Sequence, residues 1–163
     1  MALTLRSNSF EDSAFLEPIH ILSESYGFGC AGGNKSPHLR WSGAPEGTGS
    51  FAVTCYDPDA PTGSGFWHWL VCNIPADCRA LAAGIGAGGA LPAGAVETAS
   101  DFGAPGYGGP CPPEGDHPHR YVFSLHALGG EVQVTPQTPA AQVGFQLHFG
   151  TLEKATLMGL YKR

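Results

Sequence analysis

Phe51-Ala52-Val53-Thr54-Cys55-Tyr56-Asp57-Pro58-Asp59-Ala60-Pro61 is the stretch on which the reading of this chain turns. The alternation from Phe51 to Tyr56 predicts a half-buried strand. Neither proline can donate a ladder hydrogen bond, so the sheet must end at Asp57. The residues before Pro58 and Pro61 are pushed away from the helical region. A stiff loop therefore holds two carboxylates in set positions at a sheet edge, a rigidity that a solvent turn does not need. On residue type alone Asp57 also fits a turn-capping role. Asp59 is expected to turn back onto loop amides.

Two further segments belong with this loop. Phe66-Trp67-His68-Trp69-Leu70-Val71-Cys72 is a continuous apolar strand with a histidine near its start. Gly115-Asp116-His117-Pro118-His119-Arg120 leads into a third strand, Tyr121 to Leu128. If the first two strands are antiparallel neighbours, Asp57 and His68 share one end of the sheet. If the third is antiparallel to the first, His119 and Arg120 arrive there too. Asp57 would then orient the imidazoles and hold their protons. In a strand Arg120 points away from His119, and a carboxylate at Asp57 or Asp59 is its natural bidentate partner.

Other chemistries are weaker. His117 and His119 share a strand face, a spacing zinc sites use, but Pro118 spoils the strand; no metal is expected, and His117 is expected at the surface. Cys111 with His119 would make a thiolate pair, so a hydrolase using His119 with Cys111, or with a bound metal, is the rival reading. Ser36 and Ser64 lie in no GxSxG element. Gly84-Ile85-Gly86-Ala87-Gly88-Gly89 fits GxGxxG without a βαβ unit around it. Asp101-Phe102-Gly103 matches the kinase metal triplet without the segments that accompany it.

Composition bounds the class. The 163 residues are expected to form one domain over 1–163, with no cofactor. The 24 glycines and 14 prolines suit short strands and turns. A formal net charge of −6 argues against nucleic acid as a partner, and no run is long and apolar enough to span a membrane. The first eight residues lack the apolar core of a secretory signal. Five cysteines with no CxxC predict reduced thiols and a cytoplasmic protein. Further strands are predicted at Leu3–Arg6, Ile19–Leu22, His68–Ile74, Val132–Val134 and Ala155–Tyr161, and a surface loop at Ala80–Gly94. One helix should start with Thr138 as N-cap and Pro139 at its first position, stop at Gly150, and use Val143, Leu147 and Phe149 as its apolar face. Many strands with one or two short helices imply a mostly-β sandwich.

Asp57-Pro58-Asp59-Ala60-Pro61, His68 and Gly115-x-x-x-His119-Arg120-Tyr121 resemble the signature of the phosphatidylethanolamine-binding protein (PEBP) family, which includes Raf-kinase-inhibitor-like proteins. Asn34-Lys35-Ser36-Pro37-His38-Leu39-Arg40-Trp41 and Asp101-Phe102-Gly103 with Gly106-Tyr107-Gly108-Gly109-Pro110 extend the match from about Phe28 to the C-terminus. The short, glycine-rich layout is similar to the bacterial and archaeal branch, without the C-terminal helix of animal members. The resemblance implies a large central antiparallel sheet on a smaller one, a cis Ala60–Pro61 bond, and a pocket for anionic groups such as phosphate or a phosphoethanolamine headgroup. It implies that Asp57, His68, His119, Tyr107, Cys111, Pro112 and Tyr121 form that pocket, with Asp59, Pro61 and Arg120 in support. Backbone amides of the Gly106–Pro113 loop would add anion donors. It further implies a partner kinase or protease under regulation, and a homodimer, for which Phe66, Trp69 and the glycine-rich loop offer apolar surface.

Overall fold

A computed structural model describes residues 1–86 and 88–163. In chain order it contains β1 (Thr4–Arg6), β2 (Ala14–Phe15), 3-10 turns at Pro18–His20 and Glu24–Tyr26, β3 (Leu39–Ser42), β4 (Ser50–Asp57), β5 (Phe66–Pro75), β6 (Ala80–Leu81), β7 (Val96–Glu97), β8 (His119–Leu128), α1 (Ala140–Gly150) and β9 (Thr151–Tyr161). Six strands form the large sheet in the order β2-β9-β8-β4-β5-β7, and three form the small one, β1-β3-β6. Every pairing is antiparallel except β2 with β9, so the large sheet is mixed at one edge. Among the described residues no helix follows β9.

Strand alternation divides the apolar side chains between two cores. Phe51, Val53, Cys55, Trp69, Val71, Tyr121, Phe123 and Leu125 face the small sheet and join Leu5, Leu39 and Trp41 in the larger core. Ala52, Leu70, Cys72 and Leu128 face the other way and meet Val143 and Leu147 of α1. The central strands are thus covered on both faces, which is why β5 reads as an unbroken apolar run. Each large side chain buried here contributes roughly 1.5–3 kcal/mol.

The structure corrects several local expectations. Ile19–Leu22 is not a strand: Pro18 opens a 3-10 turn there. Val132–Val134 is irregular; Val132 packs beneath α1, and the Asn73 side chain bonds both its N–H and its carbonyl. Pro139, not Thr138, caps α1, because the Thr138 hydroxyl accepts the Thr135 N–H instead. Phe149 is solvent-exposed, not on the apolar face of α1. Trp69 is fully buried and offers no surface to a second copy. The glycine-rich loop is not wholly superficial: Gly86 is buried against the Trp69 ring, in a space a Cβ could not share. Ala87 lies outside the described residues. No peptide bond among the described residues is cis, Ala60–Pro61 included. The chain reverses instead through a Thr62 N–H to Ala60 carbonyl bond and two left-handed glycines, Gly63 at φ 81° and Gly65 at φ 69°.

Candidate functional site

The register explains how the large sheet gathers its polar side chains at one end. Asp57 is the last residue of β4, and the antiparallel return places Phe66 of β5 opposite it. β8 enters at the same edge with His119. Cys55 pairs with Trp69 and Tyr56 with Trp67, so His68 is the extra residue of a bulge. A bulge re-aims its side chains. Here it puts His68 on the same side as Trp69, facing Tyr121 with ring centroids 5.2 Å apart.

The result is a cleft of about 160 Å³ lined by Leu22, Phe28, Asp57, Phe66, His68, Phe102, Cys111, Pro112, His119 and Tyr121. His68 Nδ1 lies 2.7 Å from the Gly108 carbonyl, which only an N–H can satisfy, so Nδ1 carries the proton. Nε2 has no hydrogen-bond partner among the described residues. Burial pushes the His68 pKa down; the Gly108 carbonyl and the Asp57 charge oppose this without cancelling it. The expected Asp57–His68 pairing is therefore corrected: the Gly108 carbonyl orients His68, and the ring is neutral at pH 7.

Asp57 pairs with His119. Its carboxylate accepts the Asp59 N–H on one oxygen and His119 Nδ1–H on the other, both at 2.8 Å. His119 Nε2 lies 2.9 Å from Asp116. Both ring nitrogens face carboxylate oxygens, an arrangement that favours the imidazolium, in which both donate. Burial pulls its pKa down, but the bonds to Asp57 and Asp116 outweigh that and leave it raised. Asp59 takes the Arg120 guanidinium in a fork at 3.0 and 2.9 Å and also accepts the Arg120 N–H. The guanidinium bond, against the opposing pull of burial, holds the Asp59 carboxyl at a pKa of about 2.

Three expected lining groups behave differently. Tyr107 is buried away from the cleft, its hydroxyl donating to the His20 carbonyl at 2.8 Å and its ring edge-on to Trp69. Cys111 lines the cleft as half of a disulfide with Cys30, so it supplies no thiolate, and the expectation of five reduced cysteines fails at this pair. The Gly108 N–H bonds the His68 carbonyl and the Gly109 N–H bonds Asn34, so neither amide is free for an anion. Both positions demand glycine, since a Cβ would collide with the Phe102 ring or the His20 carbonyl. Among the described residues no group of three or more His, Cys, Asp or Glu is placed to hold a metal ion. His117 is exposed.

The phosphatidylethanolamine-binding protein family model matches residues 6–162. The chain belongs to this family. Among PEBP relatives, the UPF0098 protein YbhB of Escherichia coli K12 is 47% identical over 161 residues, covering 98% of this chain and 99% of that protein. The UPF0098 protein YbcL of the same strain is 48% identical over 164 residues, covering 99% of this chain and 88% of that protein. The crystal structure of E. coli YbcL, described as a new member of the mammalian PEBP family, superposes with a TM-score of 0.95 at 46% identity, covering 100% of this chain and 99% of that one.

Within this PEBP fold, sequence reasoning missed Leu22, Phe28 and Phe102 as cleft walls and Asp116 as the second partner of His119. Phe102 had a signal in the Asp101-Phe102-Gly103 element; in the structure Asp101 accepts the Trp67 N–H at 2.8 Å and so holds that loop against β5. Asp116 had none beyond lying three residues before His119 in a loop.

Proposed function

We propose that this PEBP chain is a small-ligand binding protein whose cleft takes a compact oxyanion, a phosphate or a phosphoethanolamine-like headgroup. His68 carries the reading. Its ring is fixed by Gly108, and its open Nε2 faces a cleft whose walls are otherwise mostly apolar. Tyr121 adds a hydroxyl with no protein partner among the described residues. A fully ionised oxyanion such as sulfate has no proton to offer the Nε2 lone pair, so its binding takes up a proton at Nε2; a phosphate can bring that proton with it. Asp116 already occupies His119 Nε2 as an internal anion and competes with the ligand for it.

Affinity therefore rises as pH falls, by up to tenfold per unit above the His68 pKa of the empty protein. NMR titrations with phosphate, phosphoethanolamine and sulfate at about pH 5.5 and about pH 8 test this. Sulfate keeps its charge throughout, so it separates His68 from the ligand's own titration. The expected shifts fall on Phe28, His68, Phe102 and Tyr121, vanish in His68→Ala and strengthen in Asp116→Asn. Shifts clustered elsewhere, or equal sulfate affinity at both pH values, would sink the proposal.

The hydrolase reading loses its thiol version to the disulfide. Regulation of a kinase or protease, which the family implies, would use the rim of the cleft, where Phe28 is 59% exposed. The same rim, with the exposed Tyr26 against Phe102, replaces Trp69 as the surface on which we expect the chain to pair. Sedimentation at tens of micromolar checks this: a monomer alone removes the dimer. No described helix is long and apolar enough to cross a membrane. The Cys30–Cys111 bond favours an oxidising compartment over the cytoplasm expected from cysteine count.

A further inference from the structure

A second cavity lies on the opposite face of the large sheet, between its strands and α1. At about 470 Å³ it is roughly three times the volume of the cleft, and it falls in the range of small-molecule sites. It shares no lining residue with the cleft. The floor is a polar strip built by register. Thr54 of β4 sits opposite Ser124 of β8, His126 follows two residues along on the same face, and Lys154 of β9 is the cross-strand neighbour of His126.

Thr54, Ser124 and His126 are each at least nine-tenths buried, at 3%, 6% and 9% exposure. Neither the Thr54 nor the Ser124 hydroxyl has a hydrogen-bond partner among the described residues, although both line the cavity. These hydroxyls are not sealed in, since Trp41 Nε1 and Thr98 Oγ1 are the buried polar side-chain atoms left unpaired among the described residues; they open onto the cavity, where water or a ligand can take them up. The state of His126 follows from its neighbour. Thr151 donates its hydroxyl proton to the Leu147 carbonyl at 2.5 Å, so at 2.9 Å from His126 Nδ1 it can only accept. Nδ1 is therefore the protonated nitrogen, and Nε2 is an acceptor. Burial, then the Lys154 charge, holds the His126 pKa at about 4, which keeps the ring neutral at pH 7.

The walls and the charge define the guest. No Asp or Glu lines the cavity in a chain of formal net charge −6; its ionisable groups are Lys154, His148 of α1, His126 and Tyr56. The Tyr56 hydroxyl is already spent on the Ser64 carbonyl. Trp67, tilted at 49° against Tyr56 with centroids 4.6 Å apart, and Leu147 of α1 supply the large apolar lining. Gly144 lets α1 ride close over it, since a Cβ there would sit 3.3 Å from the indole.

We infer that this cavity is a second binding site, for a small aromatic hydroxy acid. Lys154 pairs with the carboxylate, Ser124 and Thr54 donate to it, His126 Nε2 accepts the ligand hydroxyl, and the ring lies between Trp67 and Leu147.

Phenyllactate is the probe, with 3-phenylpropionate as the analogue lacking the hydroxyl. In NMR titrations to about 10 mM, phenyllactate should shift Thr54, Trp67, Ser124, His126 and Gly144 and bind several-fold tighter than 3-phenylpropionate. Lys154→Met, at an exposed position that leaves the fold intact, should weaken it roughly tenfold or more. Ser124→Ala should weaken it several-fold, with the melting temperature confirming an intact core. Absence of shifts at these residues, equal affinity for the two acids, or binding unchanged in Lys154→Met overturns the inference. So do shifts confined to His68, Phe102 and Tyr121, which would place the acid in the cleft.

Discussion

Loss of the Cys30–Cys111 bond should lower the unfolding free energy by about 4 kcal/mol, the chain-entropy value for so long a loop. The two cysteines are 81 residues apart, so the bond removes a large set of open conformations from the unfolded chain. For a domain of this size that is a fall in melting temperature of roughly 10–15 °C. The check is a pair of thermal melts with and without reductant, alongside a Cys30→Ser/Cys111→Ser variant that should melt low and ignore reductant. Thiol titration in denaturant gives an independent count: three reactive groups, Cys55, Cys72 and Cys78, in the oxidised protein. Identical melts together with five reactive thiols would show that the bond does not form in solution. Reduction should also loosen the cleft, because Cys111 forms part of its wall beside Phe28 and Pro112.

Much of this architecture could be read from residues in order, and the failures have a common cause. The Phe51–Tyr56 alternation and the stop at Asp57-Pro58 located β4 and its loop, because strand period and proline chemistry are local. Convergence of Asp57, His68 and His119 followed from antiparallel pairing alone. What escaped depended on contacts distant in sequence. The bulge at His68 is a one-residue mismatch between β4 and β5, and no pattern within Phe66–Cys72 reveals it. It also decides that Gly108, not Asp57, orients His68. Counting cysteines failed for a similar reason: an odd total is compatible with one bridge and three free thiols. Leu39–Ser42 has the alternation of a strand, but what makes it one is pairing with β1 and β6, far away in sequence on either side. Gly86 sits in a composition typical of loops, and only the Trp69 ring above it makes it a core residue.

Asp57→Ala should be the most damaging single substitution at the cleft, costing about 3–5 kcal/mol, the penalty for stripping one partner from a buried ion pair. It leaves the buried His119 imidazolium with only the half-exposed Asp116, and it frees the Asp59 N–H. The pH profile identifies the cause. The folded-state pKa of His119 is raised, so its contribution is fully present below the unfolded value of about 6.5 and is lost as pH rises through the folded value. Wild-type stability should therefore decline on the alkaline side of about pH 6.5. In Asp57→Ala that decline should flatten, and the cost should be larger at about pH 6 than at about pH 9. Asp57→Asn, which keeps the volume and one acceptor oxygen, should fall between the two proteins. Asp59 supplies an internal reference in the opposite window. Its depressed pKa gives stability that is present above about pH 4 and lost as pH falls towards 2, on the order of 1–2 kcal/mol given the exposed guanidinium of Arg120. That acid limb should survive in Asp57→Ala and shrink in Arg120→Gln, which loses the guanidinium but keeps the backbone N–H bond to Asp59. Denaturant unfolding of the four proteins from about pH 2 to pH 9 reads both limbs at once. A pH-independent cost for Asp57→Ala would mean that Asp57 acts through the Asp59 N–H alone, with His119 neutral in the folded protein.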